Sequence, residues 1–204
     1  MKITIKFLSI LTIALALTQS AELTAKSMNE IDAAIESSMT RFTSEIQGGE
    51  SFLEGARGVL VIPRMWKAGV VLGFEFGEGA LIVDDVKVQY YQALTTSLGI
   101  QVGVGSKDLI ILFFDDVAMD NFLYSSGWEV GVDGAVALFT FGAAGAADTN
   151  TVKDPIVGFV FGQKGLIAGV SMEGTKFTKI WPDSGTENDQ VQEEIETFNQ
   201  RITD

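Results

Sequence analysis

Residues 70–83 read VVLGFEFGEGALIV, and the period of this stretch decides the fold. Leu72, Phe74 and Phe76 alternate with Gly73, Glu75 and Gly77, the two-residue repeat of a strand with two different faces. Gly77-Glu78-Gly79 reads as a reversal into ALIV, and Asp84-Asp85 as the next, into VKVQYYQAL. Upstream the same period begins near Val59, in RGVLVIPRMWK (57–67), where Pro63 interrupts it. Downstream, LGIQVGVG (98–105) alternates Leu98, Ile100, Val102 and Val104 with Gly99, Gln101, Gly103 and Gly105. A face this bare of side chains points to close approach by another backbone.

DLIILFF (108–114) is continuously apolar, the pattern of a strand buried on both sides. Asp115-Asp116 follows as a cap for a short helix through Asn121 to Tyr124. In SSGWEVGVDGAV (125–136) an extended chain puts Trp128, Val130 and Val132 on one side, with Asp133-Gly134 as a hairpin turn into AVALFTF. Further strands are IVGFVFG and GLIAGVSMEG, joined by a glycine-flanked turn at Gln163-Lys164. Two helices flank the strands. Met28, Ile31, Ile35, Met39, Phe42 and Ile46 recur at helical spacing before Gly48-Gly49, and Val191, Ile195, Phe198 and Ile202 do so after a Ser184/Glu187 capping pattern. The expected fold is α+β and mainly β. It is one domain with an antiparallel, glycine-rich, twisted or barrel-like sheet, an N-terminal amphipathic helix, a short internal helix and a C-terminal helix.

Composition removes whole classes of chemistry. The 204 residues contain no cysteine and no histidine, so thiolate nucleophiles, disulfides, histidine metal sites and Ser-His-Asp triads are out. Glu129 and Asp133, four residues apart on a strand, stand about 13 Å apart, beyond the reach of either glycosidase carboxylate pair. DTNTVKD (148–154) lacks the central glycine and terminal glutamate of a calcium loop, and no phosphate-binding glycine motif is present. No enzymatic activity, metal or cofactor is expected. A net charge of −13 argues against nucleic acid as a partner.

The first residues have the form of an export signal: Lys2 and Lys6, an apolar FLSILTIALAL (7–17), then small residues up to Ala21. Cleavage leaves residues 22–204 as the mature domain, periplasmic and without a lipidated cysteine. The face from Met28 to Ile46 suits either packing on the core or a lipid interface, although Glu30, Asp32, Glu36 and Glu45 oppose the single Arg41 on the polar side. Arg57, Arg64 and Lys67 cluster around Trp66, a cationic-aromatic combination that suits a membrane interface. On these residues alone, the simpler reading is a solvated loop around a buried tryptophan.

Four ordered segments resemble the SYLF-domain family: residues 56–83, 99–114, 125–150 and 154–180, which with the preceding helix cover most of the mature chain. The resemblance implies a largely β, lipid-binding module. In eukaryotic members it also implies phosphoinositide binding through an amphipathic helix and a basic patch, and in yeast-like members actin binding. Carried over by position, the lipid-binding candidates are Met28, Ile31, Ile35, Met39, Phe42 and Ile46 on the helix, with Arg57, Arg64, Trp66 and Lys67 beyond it. The expected partner is a phospholipid or membrane surface, with a protein partner as the alternative. The export signal, the missing SH3 domain and the acidity depart from the eukaryotic pattern, which weakens both phosphoinositide specificity and actin as expectations.

Overall fold

A computed structural model describes residues 26–69, 72–98, 103–141, 154–165 and 171–183 of the chain. The export signal, the C-terminal helix, most of DTNTVKD and the start of the glycine-alternating strand lie outside the described residues. The described chain runs α1 (Met28–Glu45), α2 (Gly49–Gly55), β1 (Gly58–Gly69), β2 (Leu72–Val83), β3 (Val86–Leu98), β4 (Gly103–Phe113), α3 (Asp116–Tyr124), β5 (Trp128–Glu129), β6 (Ala137–Thr140), β7 (Ile156–Gly165) and β8 (Lys176–Ile180). All eight strands form one sheet in the order β5-β8-β3-β2-β1-β4-β7-β6. Every pairing is antiparallel except β6 with β7. The fold is thus α+β and mainly β, a curled half-barrel.

The curl follows from chain length. Eight strands laid flat at about 4.8 Å spacing would separate the edges by about 34 Å. Edge strands β5 and β6 are joined only by residues 130–136. Much of that link is folded on itself, because Asp133 N donates to Glu129 O (2.9 Å) and Gly131 N to Gly134 O (2.8 Å). From Gly134 to Ala137 an extended chain reaches only about 11 Å. The sheet must therefore bend its edges toward each other. Asp133-Gly134 does sit at a turn, but it is not a hairpin: β5 pairs with β8 and β6 with β7, at opposite edges. Trp128 and Val130 point into the core, whereas Val132 is exposed on the turn. Gly134 is required there, since a Cβ would stand 2.6 Å from the Trp128 ring.

The Gly77-Glu78-Gly79 reversal is also corrected. β2 runs straight through it and pairs with β3 along its length, turning only at Asp84-Asp85. Both aspartates have positive φ, 48° and 62°, as a two-residue primed hairpin turn requires. The glycines make room. β1 carries a bulge opposite them, and a Cβ on Gly79 would lie 1.7 Å from the Val61 carbonyl oxygen.

Both faces of the sheet are covered. On the convex face, Ile31, Ile35, Phe42 and Ile46 from the first helix and Phe52 from α2 pack on Val59, Val61, Ala80, Ile110, Leu112, Val157, Phe159 and Phe161. Phe42 meets the Phe159 ring edge-on at 5.2 Å. The helix starts at a capping box: Ser27 Oγ accepts from Glu30 N, and Glu30 Oε2 accepts from Ser27 N. On the concave face α3, capped by Asp115, inserts Phe122 among Tyr91, Phe113, Trp128 and Phe177. Strands β1, β4 and β7 lie between the two cores, which explains why every residue from Leu109 to Phe114 is apolar.

Phe42 is fully buried between helix and sheet, so Phe42→Ala is expected to destabilise the chain by about 3–5 kcal/mol in urea unfolding.

Candidate functional site

β1, β2, β3 and β4 extend beyond the end of the first helix, and there the usual distribution of residues is reversed. Trp66 (54% exposed), Phe74 (53%) and Val104 (61%) face outward, while Glu75 (3%) and Lys107 (2%) face the concave interior. The reversal begins at the β1 bulge. Ile62 and Met65 both join the concave core although three residues apart, so the extra residue at Pro63-Arg64 shifts the alternation by one. Beyond it Trp66 points out and Lys67 points in.

Register places the outward residues in rows. One row of register partners crosses six strands as Lys176, Leu94, Phe76, Trp66, Ser106 and Lys164. The next runs Thr96, Phe74, Ala68 and Val104. The result is an apolar, aromatic centre with a lysine at each end.

Inside the same rows Glu75 is shared by two lysines, with Lys67 Nζ 2.9 Å from Oε1 and Lys107 Nζ 2.6 Å from Oε2. One carboxylate between two buried ammonium groups leaves an excess positive charge. Burial, the largest influence, lowers the Lys107 amine below its usual value of 10.5; Glu75 opposes this and Lys67 reinforces it. Beside the triad, Thr95 and Thr175 share a hydroxyl hydrogen bond of 2.7 Å.

A second polar cluster centres on Asp108, whose carboxylate is buried. Its Oδ1 accepts from Arg64 N at 2.8 Å, and its Oδ2 from Arg41 Nε at 2.9 Å and from Arg41 Nη2. Arg64 has φ +49°, a left-handed conformation that this hydrogen bond holds in place. Ser37, Arg41, Arg64, Ser106, Asp108, Gly162 and Lys164 line a cleft of about 270 Å³.

The sequence-derived candidates are dispersed by the fold. Ile31, Ile35, Phe42 and Ile46 are buried against the sheet, Met39 packs at the edge of that core, and Met28 lines a separate cleft with Trp181. Arg57 is exposed and lies 3.5 Å from Asp116, a surface pair of little energetic worth. Arg64 and Trp66 reach the surface at the reversed end of the sheet, so Trp66 is not a buried tryptophan. Lys67, two residues from Met65, is inside with Glu75 and offers no surface charge. Sequence reasoning missed Phe74, Phe76, Leu94, Val104, Lys164 and Lys176 as surface partners of Trp66. The available signal was Glu75 between two phenylalanines, an acid that had to face either the core or water.

Among the described residues no group of three or more acidic side chains is placed to hold a metal. No described helix is long and apolar enough to cross a membrane. The class is thus a β-rich module: a curled sheet packed by helices, with an outward apolar row and inward charges. Residues 94–182 match the model of the Ysc84 family, described as "Las17-binding protein actin regulator", the same SYLF family that the sequence resembles. No curated protein matches the chain.

Replacing Glu75 by Gln leaves two buried lysines without a counter-charge and is expected to destabilise the fold by about 3–5 kcal/mol. Lys107→Met keeps a one-to-one pair and is expected to be far milder. Between the lowered folded value of Lys107 and 10.5 the unfolded state binds more protons, so this lysine's contribution to stability rises with pH through that window. Urea midpoints measured across it are expected to rise relative to those of Lys107→Met.

Proposed function

We propose that this chain is a non-enzymatic module, exported from the cytoplasm, that binds an anionic phospholipid surface through the outward rows of its sheet. The observation that carries the reading is the six-strand row in which Leu94, Phe76 and Trp66 lie between Lys176 and Lys164. Aromatic side chains and lysines together suit the boundary between acyl chains and headgroups, where rings enter the apolar layer and ammonium groups stay among phosphates. Each half-exposed Trp, Phe, Leu or Val removed from water contributes about 1 kcal/mol, and each nearby cation about 1 kcal/mol on an anionic leaflet. Five such side chains and two or three cations are sufficient for reversible attachment, even though the chain as a whole carries −13. The apolar face of the first helix is part of the core, one of the two readings the sequence left open, so insertion through it would require undocking it and exposing Phe42.

The family description, which speaks of a Las17-binding actin regulator, favours a second reading. In that reading the same apolar rows dock on a protein partner and lipid has no role.

Flotation of the mature chain, residues 22–204, with phosphatidylcholine vesicles, with and without phosphatidylglycerol, separates the two. The wild-type protein is expected to float best with the anionic vesicles. A Trp66→Ser/Phe74→Ser/Phe76→Ser variant with an unchanged circular dichroism spectrum is expected to bind about 100-fold more weakly, from roughly 1 kcal/mol lost at each site. A folded wild-type chain that floats with neither vesicle overturns the lipid reading in favour of the protein partner.

A further inference from the structure

The cleft at the Lys164 end of the apolar row is built by two irregularities that meet at one carboxylate. On one side of β4, β1 bulges between Ile62 and Met65; on the other, β7 breaks register between the partners of Ser106 and Asp108. Gly162 in that second break has φ +58°, and a Cβ there would stand 3.0 Å from Asp108 Oδ2. Both neighbouring strands thus open at the level of Asp108, and the gap is lined by polar groups from four elements. Arg41 and Ser37 come from α1, Arg64 from β1, Ser106 from β4, and Lys164 from β7.

The charge balance in this gap is opposite to that of the whole molecule. Three cations surround one carboxylate in a chain of net charge −13. Asp108 is already occupied by Arg41 and by the Arg64 backbone N–H. Among the described residues neither the Arg64 guanidinium nor the Lys164 ammonium has an ion-pair partner. At about 270 Å³ the cleft holds the volume of several waters, each about 30 Å³. The bulge that aims Arg64 costs backbone strain, the kind of cost that is characteristic of sites with a task.

From these features the geometry points to a binding site for a tetrahedral oxyanion of the phosphate class, held by Arg64 and Lys164 with the Ser37 and Ser106 hydroxyls and the outer edge of the Arg41 guanidinium. Donors that converge from several directions suit a tetrahedral acceptor better than a planar carboxylate. Asp108 is the positioning residue: it orients Arg41 and fixes the bulge. Ser106 belongs both to this cleft and to the row through Trp66, so a phosphate in the cleft lies beside the apolar platform. The phosphate group is either free in solution or part of a lipid headgroup; only the second source rests on the membrane reading above.

Inorganic phosphate titrated into the full-length, nitrogen-15-labelled chain at constant ionic strength tests the site without any lipid. Saturable shifts are expected at the amides of Arg64, Ser106 and Lys164, and an R64Q/K164Q variant is expected to bind phosphate at least about 10-fold more weakly with an unchanged melting temperature. Phosphate that shifts none of these amides, or that binds the double variant as well as the wild type, overturns the proposal. The Trp66→Ser/Phe74→Ser/Phe76→Ser variant is expected to keep phosphate binding, so the membrane reading and the anion site fail separately. Vesicles containing phosphatidic acid identify the source. Flotation that inorganic phosphate competes away in the wild type but not in R64Q/K164Q supports a headgroup phosphate. Flotation indifferent to phosphate, with the amide shifts intact, supports a free anion.

Discussion

Asp108 on β4 accepts the backbone N–H of Arg64, and much of the reversed end of the molecule depends on that one hydrogen bond. It stabilises the extra residue in β1. That residue shifts the strand's alternation by one position, so that Trp66 faces out and Lys67 faces Glu75. Without the shift, the indole would compete for the space now held by the buried ion triad. The same carboxylate binds Arg41 and so ties the first helix to the sheet. Strand register, helix position and the aim of Arg64 are therefore coupled through a single side chain. A buried charge in a low-dielectric setting is tolerated because each oxygen has a partner.

A second constraint is the short link between the edge strands. Residues 130–136 cannot span a flat eight-stranded sheet, so the sheet curls and acquires a concave side that Phe122 fills. Curling also brings backbone close to backbone, which explains why glycine at position 79 faces the Val61 carbonyl rather than making a turn. With the concave side filled by α3 and much of the convex side covered by the first two helices, the rows around Trp66 leave Trp66, Phe74, Phe76, Leu94 and Val104 exposed side by side, while other exposed apolar side chains such as Val86, Tyr124 and Trp181 lie elsewhere. These rows lie directly outside the triad of Lys67, Glu75 and Lys107. Apolar groups outside and charges inside, on the same strand segments, are the reverse of what a soluble sheet needs for its own stability, which is what supports the binding role proposed for this segment.

Much of the architecture was legible from local pattern. Helical spacing located the first helix, the uninterrupted run in DLIILFF marked a strand between two cores, and the Asp84-Asp85 and Asp115 signals lie at the turn and cap they indicate. The failures share a cause. Gly77-Glu78-Gly79 and Asp133-Gly134 both have the composition of turns, but composition reports only what backbone conformations a residue permits. Gly79 is there for the approach of a neighbouring strand, and the turn at Asp133 leads to an edge seven strands away. The basic cluster misled for a similar reason, since Arg57, Arg64 and Lys67 are near in sequence but separated by a strand and a bulge.

By itself the sequence determined the period of each element, the absence of histidine and cysteine chemistry, the acidic balance and the family resemblance, because these depend on residue identity and short spacing alone. Which of Trp66 and Lys67 reaches the surface was decided only by the tertiary structure, as was the meeting of Lys164 and Lys176 with one aromatic row. A one-residue bulge inverts every side chain beyond it, and pairing between strands far apart in the chain sets the neighbours. Neither effect is written in any local stretch.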